Sequence, residues 1–319
     1  MTGLWSRLLS LVMGAHDPDP VLDVAVERAV YRVEPRLKQL RSYPGRYRYS
    51  VQRVLARVRQ LSAEVPGPVT LDAEHYIRDP FIHSMFAAPE DIGRLFSTQA
   101  MRAYVAEHGG DELYALLSMR RVEKSVFGLD MAGEAVRRDV AQRTVHFTDL
   151  QLIGPAPTEK EARENLLWHL FDKYMEHVAQ GLNRLRDEHK RLAQEKDFAL
   201  ARLRGVSADR RAARQQELDK VLTNLGDASA TLDLENMGEL FDVVLSHPED
   251  CIALTSQRLR LDAMGVIHAD ATDPRVVSLV FADLLERERE TRTVVLVHCR
   301  DVIPASTEKM LEDARHRLG

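Results

Sequence analysis

Apolar side chains recur at alternating intervals of three and four through residues 158–245, and that rhythm dominates the chain. Trp168, Phe171, Met175, Val178, Leu182 and Leu185 carry it, followed by Leu192, Ala199 and Leu203. Such spacing is the seam of a coiled coil. His189 and Lys196 hold seam positions and interrupt it. Thr158 and Glu161, directly behind Pro157, spell a capping box that predicts a helix start. Gly205 offers a left-handed C-cap and Ser207 a fresh N-cap. A second seam then runs through Leu218, Val221, Leu225, Ala228 and Leu232. Two seams either side of a tight turn predict an antiparallel helical hairpin over 157–247. At 1.5 Å per residue its first arm would be roughly 70 Å long, so its tip would project. Counting outward from the turn sets Leu218 against Leu192, Val221 against His189, Leu225 against Leu185 and Leu232 against Val178.

Elsewhere the pattern is shorter in range. Residues 3–13 put Leu4, Trp5, Leu8, Leu9, Leu11 and Val12 on one wide helical face. That face would dock on the protein itself or lie in the plane of a membrane, with Leu4, Trp5, Leu8, Leu9 and Val12 as the contacts. A cleaved signal peptide fits poorly, because the run is short and Met13 stands where a small residue is expected. Residues 17–65 read as a basic helical hairpin broken by Pro35 and by the Tyr43-Pro44-Gly45 turn. Residues 66–156 read as a mixed, mostly helical region, with helices at 89–107 and 110–125. After residue 248 the rhythm changes to two. Strands are expected at 252–255, 258–261, 276–281 and 293–298, with turns at Ala263-Met264-Gly265 and Asp273-Pro274, a charged hairpin tip at 286–290 and a last helix capped by Ser306 or Thr307. The fold class is therefore α+β and mainly α: a helical N-terminal region, a long antiparallel helical hairpin and a small C-terminal antiparallel sheet.

Composition narrows the functional classes. The 319 residues are 45% apolar and 29% charged, ordinary for a folded chain of several structural units. A net charge of −5 gives no global attraction to nucleic acid, so an anionic partner has to meet a local patch. One such stretch exists. Residues 28–59 hold ten Arg or Lys and a single acid, Glu34. The turn interleaves cations with aromatics, and Arg41, Tyr43, Arg46, Tyr47, Arg48, Tyr49, Arg53 and Arg57 are the candidate anion-binding residues. Arginine grips phosphate bidentately, and tyrosine stacks on bases or sits at a lipid interface. The alternative is an amphipathic hairpin whose arginines are solvated or paired with acids elsewhere.

Catalytic signals are weak. The chain lacks a Gly-rich phosphate loop, a nucleophile elbow, an H-E-x-x-H and a C-x-x-C. His75, Asp79 and His83, with Glu74, have metal-like spacing, but Pro80 breaks the helix that would align them. His169, Asp172 and Glu176, with His177 alongside, share one face of the long helix and read as a polar outer face. No metal site and no cofactor are expected. Two cysteines, Cys251 and Cys299, point to a reducing, cytoplasmic setting, and no run is long enough to span a membrane. Three readings remain open. The first is a non-enzymatic scaffold or adaptor that meets a protein partner or itself through the hairpin, with an anionic membrane as a further surface. The second is a nucleic-acid-binding module using residues 41–49. The third is an enzyme with a site in 70–147.

Overall fold

The computed structural model describes residues 19–132, 135–205, 207–269, 274–286 and 291–302. The face at 3–13, with Leu4, Trp5, Leu8, Leu9 and Val12, lies outside the described residues, as do most of the charged tip and the last helix. The chain is α+β and mainly helical. It forms two compact units, each assembled from segments distant in sequence: Met1–Arg57 with Phe171–Pro248, and Val58–Leu170 with Glu249–Gly319.

The first unit begins with helix α1 (Pro20–Val33). Asp19 caps it by accepting from the Val21 and Leu22 N–H groups, and Pro20 supplies a preset first turn. Pro35 ends the helix as expected, and a 3-10 turn over Pro35–Gln39 follows. A second short turn, Gly45–Tyr47, leads into α2 (Arg48–Glu64). The long arm α7 (Glu159–Arg204) is one unbroken helix of 46 residues, started by the Thr158 hydroxyl, which accepts from the Glu161 N–H at 3.3 Å. The returning arm α8 (Ala208–Thr231) has 24 residues, and α9 (Leu234–Leu245) closes the unit. Phe171, Tyr174, Met175, Val178 and Leu182 of α7 are buried. The Tyr174 hydroxyl donates to the Val244 carbonyl at 2.8 Å.

The hairpin seam is real and its register differs from the count. Leu192, Ala199, Leu218 and Val221 are all buried. His189, however, meets the Ser229 hydroxyl at 3.0 Å, and Arg202 reaches Glu217 at 3.5 Å. His189 therefore lies level with Ser229 rather than Val221. That is a slip of eight residues, roughly two helical turns. Helix α7 runs to Arg204 and α8 begins at Ala208 behind the Ser207 N-cap, so on the observed pairing the first turn of α8 lies beyond the end of α7. On this register Leu218 comes level with Ala199 and Leu225 with Leu192, and His189 finds a hydroxyl where an aliphatic neighbour was expected.

The second unit is built on a six-stranded sheet: β1 (Val69–Leu71), β2 (Leu113–Ala132), β3 (Ala135–Ala156), β4 (Ile252–Leu261), β5 (Val277–Glu286) and β6 (Arg292–Cys299). Its order is β3-β2-β6-β5-β4, antiparallel throughout, with β1 added parallel to β6. The helix expected at 110–125 is thus strand, and residues 66–156 carry more strand than helix. Leu, Ala, Met, Arg, Glu and Lys are good helix formers, but tertiary pairing with β6 over Leu113–Met119 overrides that preference. The sheet also closes on itself. Ile267 bridges Leu261 of β4, and its neighbour Val266 bridges Thr144 of β3. Gly265 makes the junction feasible. It has φ +73°, and a Cβ there would meet the Val145 carbonyl oxygen at 2.5 Å.

The interior of this curled sheet is apolar. Leu117, Met119, Val145, Phe147, Leu259, Phe281, Val295 and Val297 fill it. Four short helices contribute Tyr76, Ile82, Met85, Ile92, Leu95, Phe96 and Met101 to the same cluster, with Phe86 from just past the second: α3 (Ala73–Arg78), α4 (Pro80–Met85), α5 (Glu90–Phe96) and α6 (Gln99–His108). A polar plug lies beside the core. Arg121 of β2 donates to Asp283 of β5 and to Gln257 of β4, and the Thr293 hydroxyl bonds the same aspartate at 2.7 Å. Past Arg121 the β2–β3 pair continues as a ribbon to Ala132 and Ala135.

Candidate functional site

The distal arm is the most distinctive surface of the first unit. Beyond Arg186, the ion pairs among the described residues join arm residues to one another. Lys190 pairs with Asp187, Arg191 with Glu188 and Glu195, and Arg214 with Glu217. Glu188 lies below the usual carboxylate range, held there by its hydrogen bonds to Arg191, and Glu217 is lowered in the same way by Arg214. Opposite charges at three and four residues support a helix that has little else to pack on. Two large apolar side chains break this polar coat. Phe198 is 67% exposed and Leu222 is 45% exposed.

At its root the arm is fastened by buried and half-buried ion pairs. Asp172 receives Arg28 bidentately, at 2.6 and 2.5 Å, and Arg32 at 2.6 Å. Glu34, 3% exposed, accepts from Arg36 and from Arg186. The Arg36 hydrogen bond, backed by the charge of Arg186, outweighs burial and holds Glu34 below its ordinary range. These contacts account for two members of the helix-face group of the sequence. The Asp172 carboxylate belongs to two arginines, and Glu176 pairs with Lys173 at 3.2 Å.

The Arg/Tyr stretch is divided by the fold. Tyr47 is fully buried, so it is removed from the anion-contacting set. It packs edge-on against Phe241 with ring centres 5.1 Å apart, and Gly238 leaves room for its hydroxyl, which a Cβ there would meet at 2.8 Å. Its hydroxyl has no hydrogen-bond partner among the described residues. Tyr43 donates to Glu27 at 2.6 Å. Burial, with that hydrogen bond, pushes its pKa up to about 12. Arg46 faces Glu235 and Glu239 at 3.6 and 3.5 Å, and Arg48 pairs with Asp23. Arg41, Tyr49 and Arg53 remain exposed, and Arg57 is half-buried. The acids that neutralise this turn come from α1 and α9, which spacing within 28–59 does not reveal.

The histidine group of the second unit does not converge. His75 bonds Asp72 at 2.8 Å, and Asp79 caps α4 by accepting from the Phe81 N–H at 2.8 Å. His83 instead leans on Tyr76, ring centres 4.8 Å apart, and lines a cavity of about 300 Å³. Among the described residues no group of three or more His, Cys, Asp or Glu is placed to hold a metal ion. A pocket at Glu74, His75 or His83 is what the enzyme reading of 70–147 requires; His83 lines this one, and its far wall of Leu261, Asp262, Arg275 and Leu279 meets Arg78 and His83 only through the fold. Cys251 and Cys299 are buried thiols, and burial drives the Cys299 pKa far up, so it stays protonated and inert. No described helix is long and apolar enough to cross a membrane. Comparison with family models, curated proteins and solved structures finds no match.

Proposed function

We propose that the protein is a non-enzymatic adaptor that meets a protein partner through its helical arm. One observation carries this reading: a two-helix arm whose outer coat is charged presents Phe198 and Leu222 to solvent far along its length. Exposed aromatic and aliphatic side chains on an otherwise polar helix pair are the usual anchors of helix-mediated recognition. The nucleic-acid reading loses support, because Arg46 and Arg48 spend their charge on Glu235, Glu239 and Asp23. The enzyme reading finds support only in His83 beside an open cavity. The test compares affinity purification of the full chain with a variant in which residues 190–228 are replaced by a short Gly/Ser turn. Co-purifying proteins lost with the arm are the expected result. An identical set from both forms would remove the reading.

A second reading adds an anionic membrane surface. It is favoured by the exposure of Val21, Val24 and Tyr31 on α1 and of Tyr49 on α2, close in sequence to Arg41 and Arg53. Apolar and basic groups together give the two signals that peripheral attachment needs. Sedimentation with vesicles decides it: binding must require anionic lipid and weaken with salt. Binding to neutral vesicles alone, or none, would remove it.

A further inference from the structure

We propose that the tip of the helical arm binds an acidic segment of the protein partner. The inference rests on the adaptor reading and names the chemistry of what the arm meets. From Arg202 to Glu217 the chain carries five arginines and two acids, in a protein whose net charge is −5. Neither acid neutralises the excess. Glu217 is shared by Arg202 at 3.5 Å and Arg214 at 2.6 Å. Asp209 accepts from the Ser207 hydroxyl, and that bond, with backbone N–H groups, holds it below the usual carboxylate range. Arg204, Arg210 and Arg211 are exposed and form no ion pair among the described residues.

The placement of these cations argues against a structural purpose alone. Arg202 and Arg204 stand in the last turn of α7, where the carbonyl end of a helix favours positive charge. Arg210 and Arg211 are the third and fourth residues of α8, at the end where positive charge is unfavourable. Acids there would suit the helix better, as Asp209 does. Local rules broken without a compensating contact mark functional surfaces. Here the compensation is negative charge supplied by another molecule.

Two observations choose a protein segment over a lipid or a nucleic acid. Phe198 lies four residues behind Arg202, and Leu222 five residues beyond Glu217. Arg202 and Glu217 are level across the arm, so both exposed apolar side chains stand roughly 6 Å back from that pair. A flat bilayer meeting the arm end-on would take the arginines and leave these anchors in water. A nucleic-acid strand calls for aromatic rings interleaved with the cations, and the chain has none between Phe198 and Phe241. A protein segment can set carboxylates on the tip and an apolar side chain about one turn behind them.

A photo-activatable cross-linking side chain at the exposed Ala213, on the same helix face as Arg210, tests this in the full chain inside cells. The expected product is a protein adduct whose cross-linked peptide, read by mass spectrometry, is rich in Asp and Glu. Arg210→Glu with Arg211→Glu should lower its yield about tenfold. The same double change should slow hydrogen exchange in α8, because acids suit that helix end. Changing two acids of the captured peptide to Lys should restore the adduct with the double variant. Should the double variant loosen α8 instead, Arg210→Gln with Arg211→Gln takes its place and should lower the yield about threefold. A yield unchanged by these substitutions overturns the proposal. So does a lipid adduct, a nuclease-sensitive one, or a captured peptide without acids. The same cross-linker at Phe198 separates the two possible failures. An adduct from 198 that survives the double change, with none from 213, overturns the acidic partner and leaves the adaptor reading. No adduct from either position in the otherwise native chain removes both.

Discussion

The molecule contains two long hairpins, one of helices and one of strands, and they are held by opposite means. In α7–α8 the backbone hydrogen bonds that build each arm run within its own helix, and the arms are joined by a narrow apolar seam that buries Leu192, Ala199, Leu218 and Val221. In β2–β3 the backbone itself joins the arms, paired from Tyr114 and Ala156 to Ala132 and Ala135 through three register shifts. The ribbon needs no buried seam, and Val126 and Phe127 stand 38% and 80% exposed on it. A helix pair must write its contact in the sequence as a period. A strand pair with both faces in water need not.

That contrast ranks the expected effects of mutation. The largest belongs to the sheet where it becomes a closed unit. Asp283→Ala removes the carboxylate shared by Arg121, only 15% exposed, and Thr293. It leaves Arg121 with Gln257 and the more distant Glu123, and should cost about 3 kcal/mol of stability, the low end for breaking a buried pair. Chemical denaturation followed on the second unit measures it. A loss under about 1 kcal/mol would mean the plug is incidental.

Next comes the seam. Leu192→Ala should cost about 2 kcal/mol, toward the low end for such a change because a two-helix seam can partly collapse. Hydrogen exchange should quicken in residues 187–229 and stay unchanged in β4–β6. Equal acceleration in both would blur the distinction between arm and body.

The root of the arm should respond to acid. Glu34 titrates below its ordinary range when folded. Its stabilising contribution is therefore complete above the unfolded carboxylate pKa, near 4.3, and is lost as pH falls through the lower folded value. Melting temperatures taken from pH 6 to pH 2 should drop less steeply in Glu34→Gln than in the native chain. Parallel curves would show that Arg36 and Arg186 do not hold it.

The smallest effect is expected on the ribbon. Phe127→Ser should change stability by no more than about 0.5 kcal/mol, as for other surface positions away from a packed contact. A larger loss would reveal a cover that the described residues do not provide.

Legibility in the sequence followed the same physics. The capping box at Thr158, the seam and the strands after residue 248 were readable, because each is a local pattern. The hairpin register was not, since the spacing of each seam fixes a face of its own helix and not the offset between the two, which His189 and Ser229 reveal only in the fold. Strands β2 and β3 were hidden by helix-favouring residues and by register shifts near Ser118 and Gly128 that break alternation. Within β3, Arg143-Thr144-Val145-His146-Phe147 is the stretch that carries β-favouring residues in sequence. The Arg/Tyr stretch was visible as a pattern of charge, but its neutralisation by Asp23, Glu27, Glu235 and Glu239 is a property of packing. Of the cavity beside His83 only the histidine wall was marked in sequence, because Leu261 and Leu279 on the far wall are distant in the chain.

The most direct test of the adaptor reading places a photo-activatable cross-linking side chain at Phe198, and separately at Phe127, in the full chain inside cells. The account predicts a discrete higher-mass adduct from position 198, lost when Leu222 is changed to Asp, and none from position 127. Adducts from 127 alone, or a featureless smear from both, would contradict the assignment of partner binding to the helical arm.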